Sequence, residues 1–379
     1  MPHSVYIHIP FCTNKCYYCD FNSFVTQNQQ LVWDYLYALE QEIIFTMKQT
    51  PPDAIQTIFV GGGTPTFLSA EQMQYFLNTV RQHIPNQTDD IEFTMEANPG
   101  TTDPEKLTIM RQGGVNRLSY GVQAFDDELL RKIGRIHDSA QVFRSLQDAR
   151  QAGFTNISID LIFGLPGQTV ELFKKTLNQA FDLGLQHFSA YSLKVEENTL
   201  FHVLYEKNQL ILPAEEEEVA MYELVRKEMK AQGYRQYEIS NFSRDGYESR
   251  HNKTYWKNEE YYGIGAGAHG YVERKRHVNA GPVQQYMQLV KQGGLPRIEE
   301  FAVSDREAME EFMIMGLRLM EGISKAEFSK RYGKRIEDVF GEQITDLEKL
   351  GLLERMGNRV QLTEKGIPLG NEVFMRFLE

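Results

Sequence analysis

Cys12, Cys16 and Cys19 are the only cysteines in this chain of 379 residues, and they form a C-x3-C-x2-C pattern. Clustered thiols in a reducing compartment are more often metal ligands or catalysts than disulfides. A structural zinc ion needs four ligands, for which only His8 lies nearby, and a C-x-x-C redox pair would leave Cys12 without a role. Three thiolates can instead bind three irons of a [4Fe–4S] cluster and leave the fourth iron open. The pattern therefore favours a reactive iron–sulfur site, with zinc bound partly by His8 as the alternative.

Polar and glycine-rich positions follow several of the strands that the sequence predicts. The segment 61–65 is GGGTP, and glycine lets the backbone N–H groups of such a turn approach a carboxylate or phosphate closely. Glu96 and Gln123 end two further predicted strands, and Asp160 lies within the next one. Because the carboxyl ends of parallel strands meet at one edge, these residues and Cys12 should lie together. Their types predict a binding site at that edge.

The elements that must position these residues alternate regularly between strand and helix patterns. The predicted strands are 5–9, 55–60, 91–96, 117–123, 157–163 and 187–193. The predicted helices are 29–48, 70–83, 104–112, 139–152 and 170–183. Runs such as ISIDLIF, apolar on both faces, are typical of parallel strands covered on each side. Six units are too few for a closed eight-fold barrel, so the alternation predicts an α/β fold with a partial (β/α)6 barrel, or alternatively a doubly wound open sheet.

The last part of the chain carries a different pattern. A helical run over 336–350 is followed by GLLERMGNRVQLTEKG, in which Gly357 and Asn358 join two short apolar runs. A helix and a β-hairpin in this order predict a winged-helix-like module. Because the segment is not conspicuously basic, we expect it to serve packing or protein contact rather than DNA binding. The predicted domains are a barrel core, a connecting region and a C-terminal module, with the boundaries 1–235, 236–300 and 301–379.

The composition is that of an ordinary soluble globular protein, with 41% hydrophobic and 24% charged residues. The formal net charge of -12 argues against a nucleic-acid partner, which calls for a surface rich in Lys and Arg. No apolar run approaches the roughly 20 residues that span a bilayer, and the N-terminus lacks the pattern of a signal peptide. The expected compartment is therefore the cytoplasm.

The cysteine pattern on the loop after the first strand of a partial barrel resembles the radical S-adenosylmethionine (SAM) superfamily. There, the amino and carboxylate groups of SAM bind the fourth iron, and an electron from the reduced cluster splits SAM into methionine and a 5′-deoxyadenosyl radical. The GGGTP segment is similar to the superfamily motif whose backbone contacts the SAM amino group. The resemblance implies that the [4Fe–4S] ligands are Cys12, Cys16 and Cys19. It implies that the SAM-binding residues are Tyr6, Tyr18, Gly62, Gly63, Thr64, Glu96, Gln123, Arg135 and Asp160.

The likeness extends over nearly the whole chain to the porphyrin-related branch of this superfamily. That branch contains oxygen-independent coproporphyrinogen III dehydrogenases and heme chaperones. The dehydrogenases carry a fourth cysteine where this sequence has Phe21, and a long N-terminal extension that this sequence lacks before its cysteines. The stretch 251–256 is HNKTYW and matches the H-N-x-x-Y-W motif of the chaperones. The resemblance is therefore closer to the chaperones.

Heme is the ligand that this motif implies. Histidine or tyrosine can bind heme iron, and tryptophan offers an apolar face to the macrocycle, so the expected heme residues are His251, Tyr255 and Trp256. His269, within GAGAHGY, is an alternative ligand. The resemblance implies a heme chaperone, without dehydrogenase activity, that passes heme to apo-hemoproteins such as respiratory cytochromes. Any membrane contact is expected to go through a partner, and the sequence leaves a homodimer open. The alternative function is oxygen-independent coproporphyrinogen III dehydrogenase, which shares every cluster residue.

Overall fold

The computed structural model describes residues 1–378, which form seventeen β-strands and fourteen α-helices. In chain order the strands are β1 (Ser4–Ile9), β2 (Phe11–Cys12), β3 (Phe24–Val25), β4 (Ile55–Gly62), β5 (Gln87–Ala97), β6 (Arg117–Gln123), β7 (Asn156–Phe163), β8 (His187–Ser192), β9 (Arg235–Glu238), β10 (Asn241–Ser243), β11 (Tyr261–Ile264), β12 (His269–Val272), β13 (Lys275–Asn279), β14 (Arg297–Ala302), β15 (Ile323–Ser324), β16 (Leu353–Met356) and β17 (Arg359–Leu362). The helices are α1 (Gln29–Gln49), α2 (Ala70–His83), α3 (Pro104–Gln112), α4 (Asp127–Lys132), α5 (Ser139–Gln151), α6 (Val170–Asp182), α7 (Leu200–Glu206), α8 (Glu215–Ala231), α9 (Arg250–Trp256), α10 (Val283–Lys291), α11 (Asp305–Gly316), α12 (Lys325–Tyr332), α13 (Ile336–Lys349) and α14 (Gly370–Met375).

The chain divides into two compact units. The first consists of Met1–Glu228 and Glu260–Phe301, and the second of Met229–Glu259 together with the chain from Ala302 onward. The segment expected to connect two domains, 236–300, is shared between them: its residues up to 259 belong to the second unit and the others to the first. Over residues 1–378 no helix combines the length and the apolar character needed to cross a membrane.

The first unit is built around one sheet, in which the strand order is β14-β13-β12-β11-β1-β4-β5-β6-β7-β8. Neighbouring strands from β1 through β4 to β8 are all parallel, and β1 also pairs in parallel with β11. The helices α1 to α6 lie in sequence between successive strands of the parallel run. The six strands and their helices confirm the partial (β/α)6 barrel that the sequence predicts.

Capping residues set the helix starts close to the predicted ones. Ser69 and Asp138 each form a capping box with the glutamine three positions further on, before α2 and α5. Asp103 caps α3, and Pro104 occupies the first position of that helix, where its missing N–H costs nothing. These local signals explain why α2 and α3 have the bounds predicted from the sequence.

The two faces of the parallel strands differ in chemistry. In β7 the helix-covered face is apolar and almost completely buried, with Ile157, Ile159 and Leu161. Because side chains alternate across a strand, Ser158 and Asp160 point to the inward face, where the hydroxyl of Ser158 contacts Nδ1 of His187 at 2.7 Å. The prediction that ISIDLIF is apolar on both faces is therefore wrong for the inward face, which is polar.

Four strands, β11 to β14, extend the sheet on the far side of β1. β11 is parallel to β1, whereas β12 is antiparallel to both β11 and β13. The sequence does not predict these strands, because they are only four to six residues long and glycine interrupts two of them, β11 and β12. They bring the segment 260–302 into the same sheet as the N-terminal strand.

The second unit contains a hairpin, a short sheet and a set of helices. β9 and β10 pair antiparallel, and β15, β17 and β16 form a three-stranded antiparallel sheet. The predicted helix followed by a hairpin is confirmed as α13 followed by β16 and β17. Gly357 has φ +58°, a left-handed conformation that favours glycine in such a turn.

Candidate functional site

The cysteines lie on the segment 10–25, called here the cluster loop, which follows β1. All three are free thiols, with Cys12 buried and the other two half-buried. The backbone N–H of Cys19 donates to the carbonyl of Cys16 at 3.2 Å, so a tight turn joins these two residues. Burial raises the pKa of the Cys12 and Cys19 thiols, and the neighbouring thiols raise both further. A positively charged metal bound at this loop would favour the thiolate forms of Cys12 and Cys19.

Contacts from distant parts of the first unit hold the cluster loop in place. Asn14 donates to the carbonyl of Gly134 at 2.8 Å. The amide of Asn22 donates to the carbonyls of Ala266 at 2.9 Å and Gly281 at 3.0 Å, in the segment that the additional strands contribute. These bonds tie the loop to the turn after α4 and to the segments that follow β11 and β13.

His8 is not available as a fourth metal ligand in this arrangement. Its Nε2 contacts the carbonyl of Asn22 at 2.8 Å, and its Nδ1 contacts the hydroxyl of Tyr6 at 3.0 Å. Burial lowers the pKa of His8 to about 4, so the ring is neutral at pH 7. Among residues 1–378, no three His, Cys, Asp or Glu side chains lie close enough together to hold a single metal ion. A cubane cluster does not require such closeness, because each thiolate binds a different iron.

The GGGTP segment lies against the cluster loop. The N–H of Gly63 donates to the carbonyl of Ile9 at 2.9 Å, and that of Thr64 donates to the carbonyl of Phe11 at 2.8 Å. A Cβ on Gly63 would lie only 2.7 Å from the carbonyl oxygen of Phe11. The hydroxyl of Thr64 lies 3.5 Å from Sγ of Cys12. Glycine is thus required here because two backbones approach each other closely.

Arg135 reaches the cluster loop from the turn before α5. Its Nη1 donates to Sγ of Cys16 at 3.3 Å, and its Nη2 donates to Oδ1 of Asn98 at 2.7 Å and to the carbonyl of Gly121. Its buried Nε has no hydrogen-bond partner among the described residues. Tyr18 packs nearby at 6.5 Å from the ring of Phe201, and burial raises its pKa.

Glu96 and Asp160 form a carboxyl pair on the inward face of the sheet. Burial and then the neighbouring Asp160 raise the pKa of Glu96 to about 8, against a hydrogen bond from the N–H of Gly62 at 3.1 Å. Burial also raises the pKa of Asp160, which accepts from the hydroxyl of Ser119 at 3.3 Å. A cationic ligand beside these two carboxyls would stabilise their ionised forms.

Gln123 ends β6 in an unusual conformation. Its φ is +68°, in the left-handed region that residues other than glycine seldom occupy, and the register with β7 shifts between Gly121 and Gln123. The side chain is buried, yet its Oε1 has no hydrogen-bond partner among the described residues. Such a bulge re-aims a side chain, and an unpaired buried oxygen marks a place where a polar ligand would fit.

All nine residues expected to contact SAM lie in the first unit, together with the cluster loop. Tyr6 is among them, stacked on Phe59 with ring centroids 6.3 Å apart. Phe21, which stands where related enzymes have a cysteine, is 60% exposed.

The HNKTYW residues lie in the second unit, on helix α9. Ser249 caps this helix, and His251 and Tyr255 face each other one turn apart. Nε2 of the fully buried His251 contacts the hydroxyl of Tyr255 at 2.8 Å. The guanidinium of Arg318 lies 4.4 Å from the ring of Trp256, whose Nε1 has no hydrogen-bond partner among the described residues. His269, the alternative ligand, is exposed at the start of β12 in the first unit.

Asn98 is a site residue that the sequence analysis missed. Its Nδ2 donates to Oγ1 of Thr64 at 2.8 Å, while its Oδ1 accepts from Arg135. A signal was available, since Asn98 stands two residues after Glu96 and just past the end of β5, at the same carboxyl edge as the other site residues.

Comparison with known proteins gives consistent matches. Residues 6–180 match the radical SAM superfamily, and residues 303–369 match the HemN C-terminal domain. The chain is 48% identical to heme chaperone HemW of Bacillus subtilis, over 99% of both chains. It is 35% identical to heme chaperone HemW of Escherichia coli, over 100% of this chain and 98% of the relative.

A solved structure agrees with these matches. Coproporphyrinogen III oxidase (HemN) from Escherichia coli, a radical SAM enzyme, superimposes with a TM-score of 0.87 at 27% identity. The match covers 99% of this chain and 90% of that one. This chain therefore belongs to the radical SAM superfamily and, within it, to the family of heme chaperone HemW.

Proposed function

We propose that this protein is a heme chaperone that binds heme and delivers it to apo-hemoproteins such as respiratory cytochromes. The observation that carries the proposal is the HNKTYW helix, in a chain whose full-length relatives include proteins named heme chaperone HemW. The exposed Phe21, in place of a fourth cysteine, also favours the chaperone over the dehydrogenase. The three unpaired thiols are compatible with the reducing cytoplasm as its compartment.

Family membership implies a [4Fe–4S] cluster and SAM, and the residues of the first unit fit both groups. Cys12, Cys16 and Cys19 would hold three irons, since they are free thiols on one loop that no disulfide closes. When bound, the cluster would supply the electron that splits SAM. The guanidinium of Arg135 already donates to Sγ of Cys16, and the hydroxyl of Thr64 is in contact with Sγ of Cys12.

The SAM site that we propose is formed by the polar residues beside the cluster loop. The unpaired Oε1 of Gln123 and Nε of Arg135 offer one acceptor and one donor to a polar ligand. Glu96 and Asp160 would be partners for the positive charge of SAM, whose presence would favour their ionised forms. The remaining contacts would come from Tyr6, Tyr18, Gly62, Gly63 and Thr64.

The heme site that we propose is the His251–Tyr255 pair with Trp256. In the heme-free protein Nε2 of His251 is engaged with the hydroxyl of Tyr255, and we propose that heme iron replaces this hydroxyl as the partner of Nε2. Trp256 would offer its ring to the macrocycle once the guanidinium of Arg318 moves from its face. Heme binding thus requires the contact between His251 and Tyr255 to break and the side chain of Arg318 to leave the ring of Trp256.

Heme titration of the anaerobically purified protein tests the His251 assignment. His251→Ala should weaken heme binding at least about tenfold or shift the Soret band, because it removes the axial imidazole, while the iron and sulfide content stays unchanged. Tyr255→Phe should bind heme at least as tightly as the wild type, since it frees Nε2. His3→Ala is the matched control, because His3 is exposed and belongs to the first unit, whereas α9 belongs to the second. An unaltered heme spectrum in His251→Ala, with a changed one in His269→Ala, would contradict the assignment.

The second candidate function is the oxygen-independent oxidation of coproporphyrinogen III. Its support is the superposition with the Escherichia coli enzyme at a TM-score of 0.87. Anaerobic incubation of the reconstituted protein with reductant, SAM and coproporphyrinogen III separates the two functions. We expect that no protoporphyrinogen forms. Its formation would show that the protein acts as the dehydrogenase and would contradict the proposed chaperone function.

A further inference from the structure

The hydrogen bonds of Asn98 connect two of the three thiols through a continuous arc. The arc runs from Sγ of Cys12 to the hydroxyl of Thr64 (3.5 Å), from there to Nδ2 of Asn98 (2.8 Å), from its Oδ1 to Arg135 (2.7 Å), and from Arg135 to Sγ of Cys16 (3.3 Å). Asn98 is the central member and touches neither sulfur itself.

The amide of Asn98 determines the direction of the bonds on both sides of it. Its Nδ2 donates to Oγ1 of Thr64, which leaves the hydroxyl hydrogen of Thr64 free to point at Cys12. Its Oδ1 accepts one N–H of Arg135, so that Nη1 of the same planar guanidinium is aimed at Cys16. Only a side chain with a donor and an acceptor side by side can do both.

The backbone around Asn98 is itself held rigidly. The hydroxyl of Thr101 donates to the carbonyl of Asn98 at 2.7 Å and accepts from the N–H of Asn98 at 3.2 Å. The ammonium group of Lys106 donates to the carbonyls of Thr66 at 2.8 Å and Thr101 at 2.9 Å. These bonds join the loop after β5 to the GGGTP segment, so Asn98 is positioned before any ligand arrives.

We infer that Asn98 is a positioning residue that sets one O–H···S and one N–H···S hydrogen bond on the cluster sulfurs and thereby raises the reduction potential of the cluster. Hydrogen bonds to the sulfurs of an iron–sulfur cluster stabilise its reduced, more negative form. The same arc holds Thr64 and Arg135 in the positions from which they would contact SAM. The inference rests on the cluster and SAM sites proposed above.

The test compares Asn98→Leu, which is of similar size and uncharged, with Asn116→Leu. Asn116 is the matched control because it also bridges two groups of the first unit, the N–H of Phe93 at 2.9 Å and the carbonyl of Ile91 at 2.7 Å, but is outside the arc. Reconstituted proteins are measured for iron and sulfide content, for reduction potential by spectroelectrochemistry, and for SAM affinity from the change in the cluster's EPR spectrum. Asn98→Ala is the second variant if leucine disturbs folding.

We expect Asn98→Leu to keep its iron and sulfide, to show a more negative potential and to bind SAM about tenfold more weakly. Asn116→Leu should lose thermal stability without a change in potential or SAM affinity. In a Thr64→Val background the effect of Asn98→Leu on the potential should be smaller, because part of the arc is already absent. An unchanged reduction potential and an unchanged SAM affinity in iron-replete Asn98→Leu or Asn98→Ala would overturn the inference about Asn98 and leave the proposed cofactors standing. A wild-type protein that takes up no iron and sulfide would overturn both the inference and the proposed cofactors.

Discussion

Glu42, on α1, is a carboxyl group completely enclosed by the first unit. It accepts hydrogen bonds from the N–H of Gly265 at 2.7 Å, from Asn279 at 2.6 Å and from the hydroxyl of Tyr286 at 2.5 Å. Burial raises the pKa of Glu42 to about 7, although these hydrogen bonds act in the opposite direction. The residue joins α1 to the segment that also receives Asn22 of the cluster loop, so its protonation state bears on the stability of that whole region.

Because the pKa of Glu42 is higher in the folded protein than the ordinary value of 4.5, the folded state binds this proton more tightly than the unfolded state. The resulting stabilisation is complete below about pH 4.5 and is lost as the pH rises through about 7. Glu42→Gln should remove this part of the pH dependence, on the order of 3 kcal/mol in the free energy of unfolding, as measured by urea unfolding of cluster-free protein from about pH 5 to about pH 8.

Above about pH 6.5 a residual slope of the same sign is expected in Glu42→Gln, since the pKa of Glu96 is also raised, to about 8. Below that pH, buried histidines such as His8, whose pKa is lowered to about 4, contribute a slope of the opposite sign in both proteins. Asp34→Asn is the control, because Asp34 is an exposed carboxylate on the same helix. Equal pH slopes in the wild type and in Glu42→Gln would rule out Glu42 as the titrating group.

Between elements, the loops after the parallel strands are joined to one another as well as to the sheet. The hydroxyls of Thr66 and Thr101 lie 2.6 Å apart, which connects the loop after β4 with the loop after β5. The GGGTP segment in turn makes backbone hydrogen bonds with the end of β1 through Gly63 and with the cluster loop through Thr64. A displacement of any one of these loops would therefore move residues on the others.

Gly63→Ala tests this coupling between loops. The new Cβ would meet backbone carbonyl oxygens of Phe11 at 2.7 Å and Ile9 at 3.0 Å, and backbone atoms have little freedom to move aside. We expect a loss of about 1–3 kcal/mol in the free energy of unfolding, as for an overpacked core, and weaker SAM binding. Gly294→Ala is the matched control because nothing lies within 4 Å of its Cβ position. Equal stability of the two variants would show that the loops can separate at little cost.

At the scale of the whole molecule, the two kinds of candidate site lie on different units. The thiols and the residues proposed to contact SAM belong to the first unit, whereas the HNKTYW helix belongs to the second. Every thiol of the protein lies on the cluster loop, so the number of titratable thiols reports directly on cluster occupancy.

Cys19→Ser should therefore separate the two sites. We expect it to take up much less iron, because one of three thiolate ligands is missing, while its heme affinity stays within about twofold of the wild type. Thiol titration without denaturant should find three groups in the cluster-free wild type, with the buried Cys12 reacting more slowly than Cys16 and Cys19, and none in the reconstituted protein. If Cys19→Ser lost heme binding in a folded state, the assignment of heme to the second unit would have to be abandoned.

Local patterns were sufficient for much of this architecture. The alternation of strand and helix signals predicts all six parallel strands, and the caps at Ser69 and Asp103 set helix starts without help from tertiary contacts. The strands β11 to β14 escaped prediction because they are short and gain their stability from pairing with β1 and with one another, which no local pattern records.

The identity of the reactive residues was local information as well, since three cysteines within eight positions, GGGTP and HNKTYW are each continuous in the sequence. Which residues meet was decided by the fold. Asn98 contacts Thr64 and Arg135 across separations of 34 and 37 positions, and the polar inward face exists only because alternate residues of neighbouring strands converge there. Likewise, the burial of His251 against Tyr255 depends on the packing of the second unit. Chemistry can be inferred from residue types and short spacings, but hydrogen-bond partners and burial depend on contacts between distant segments, which form only when the chain folds.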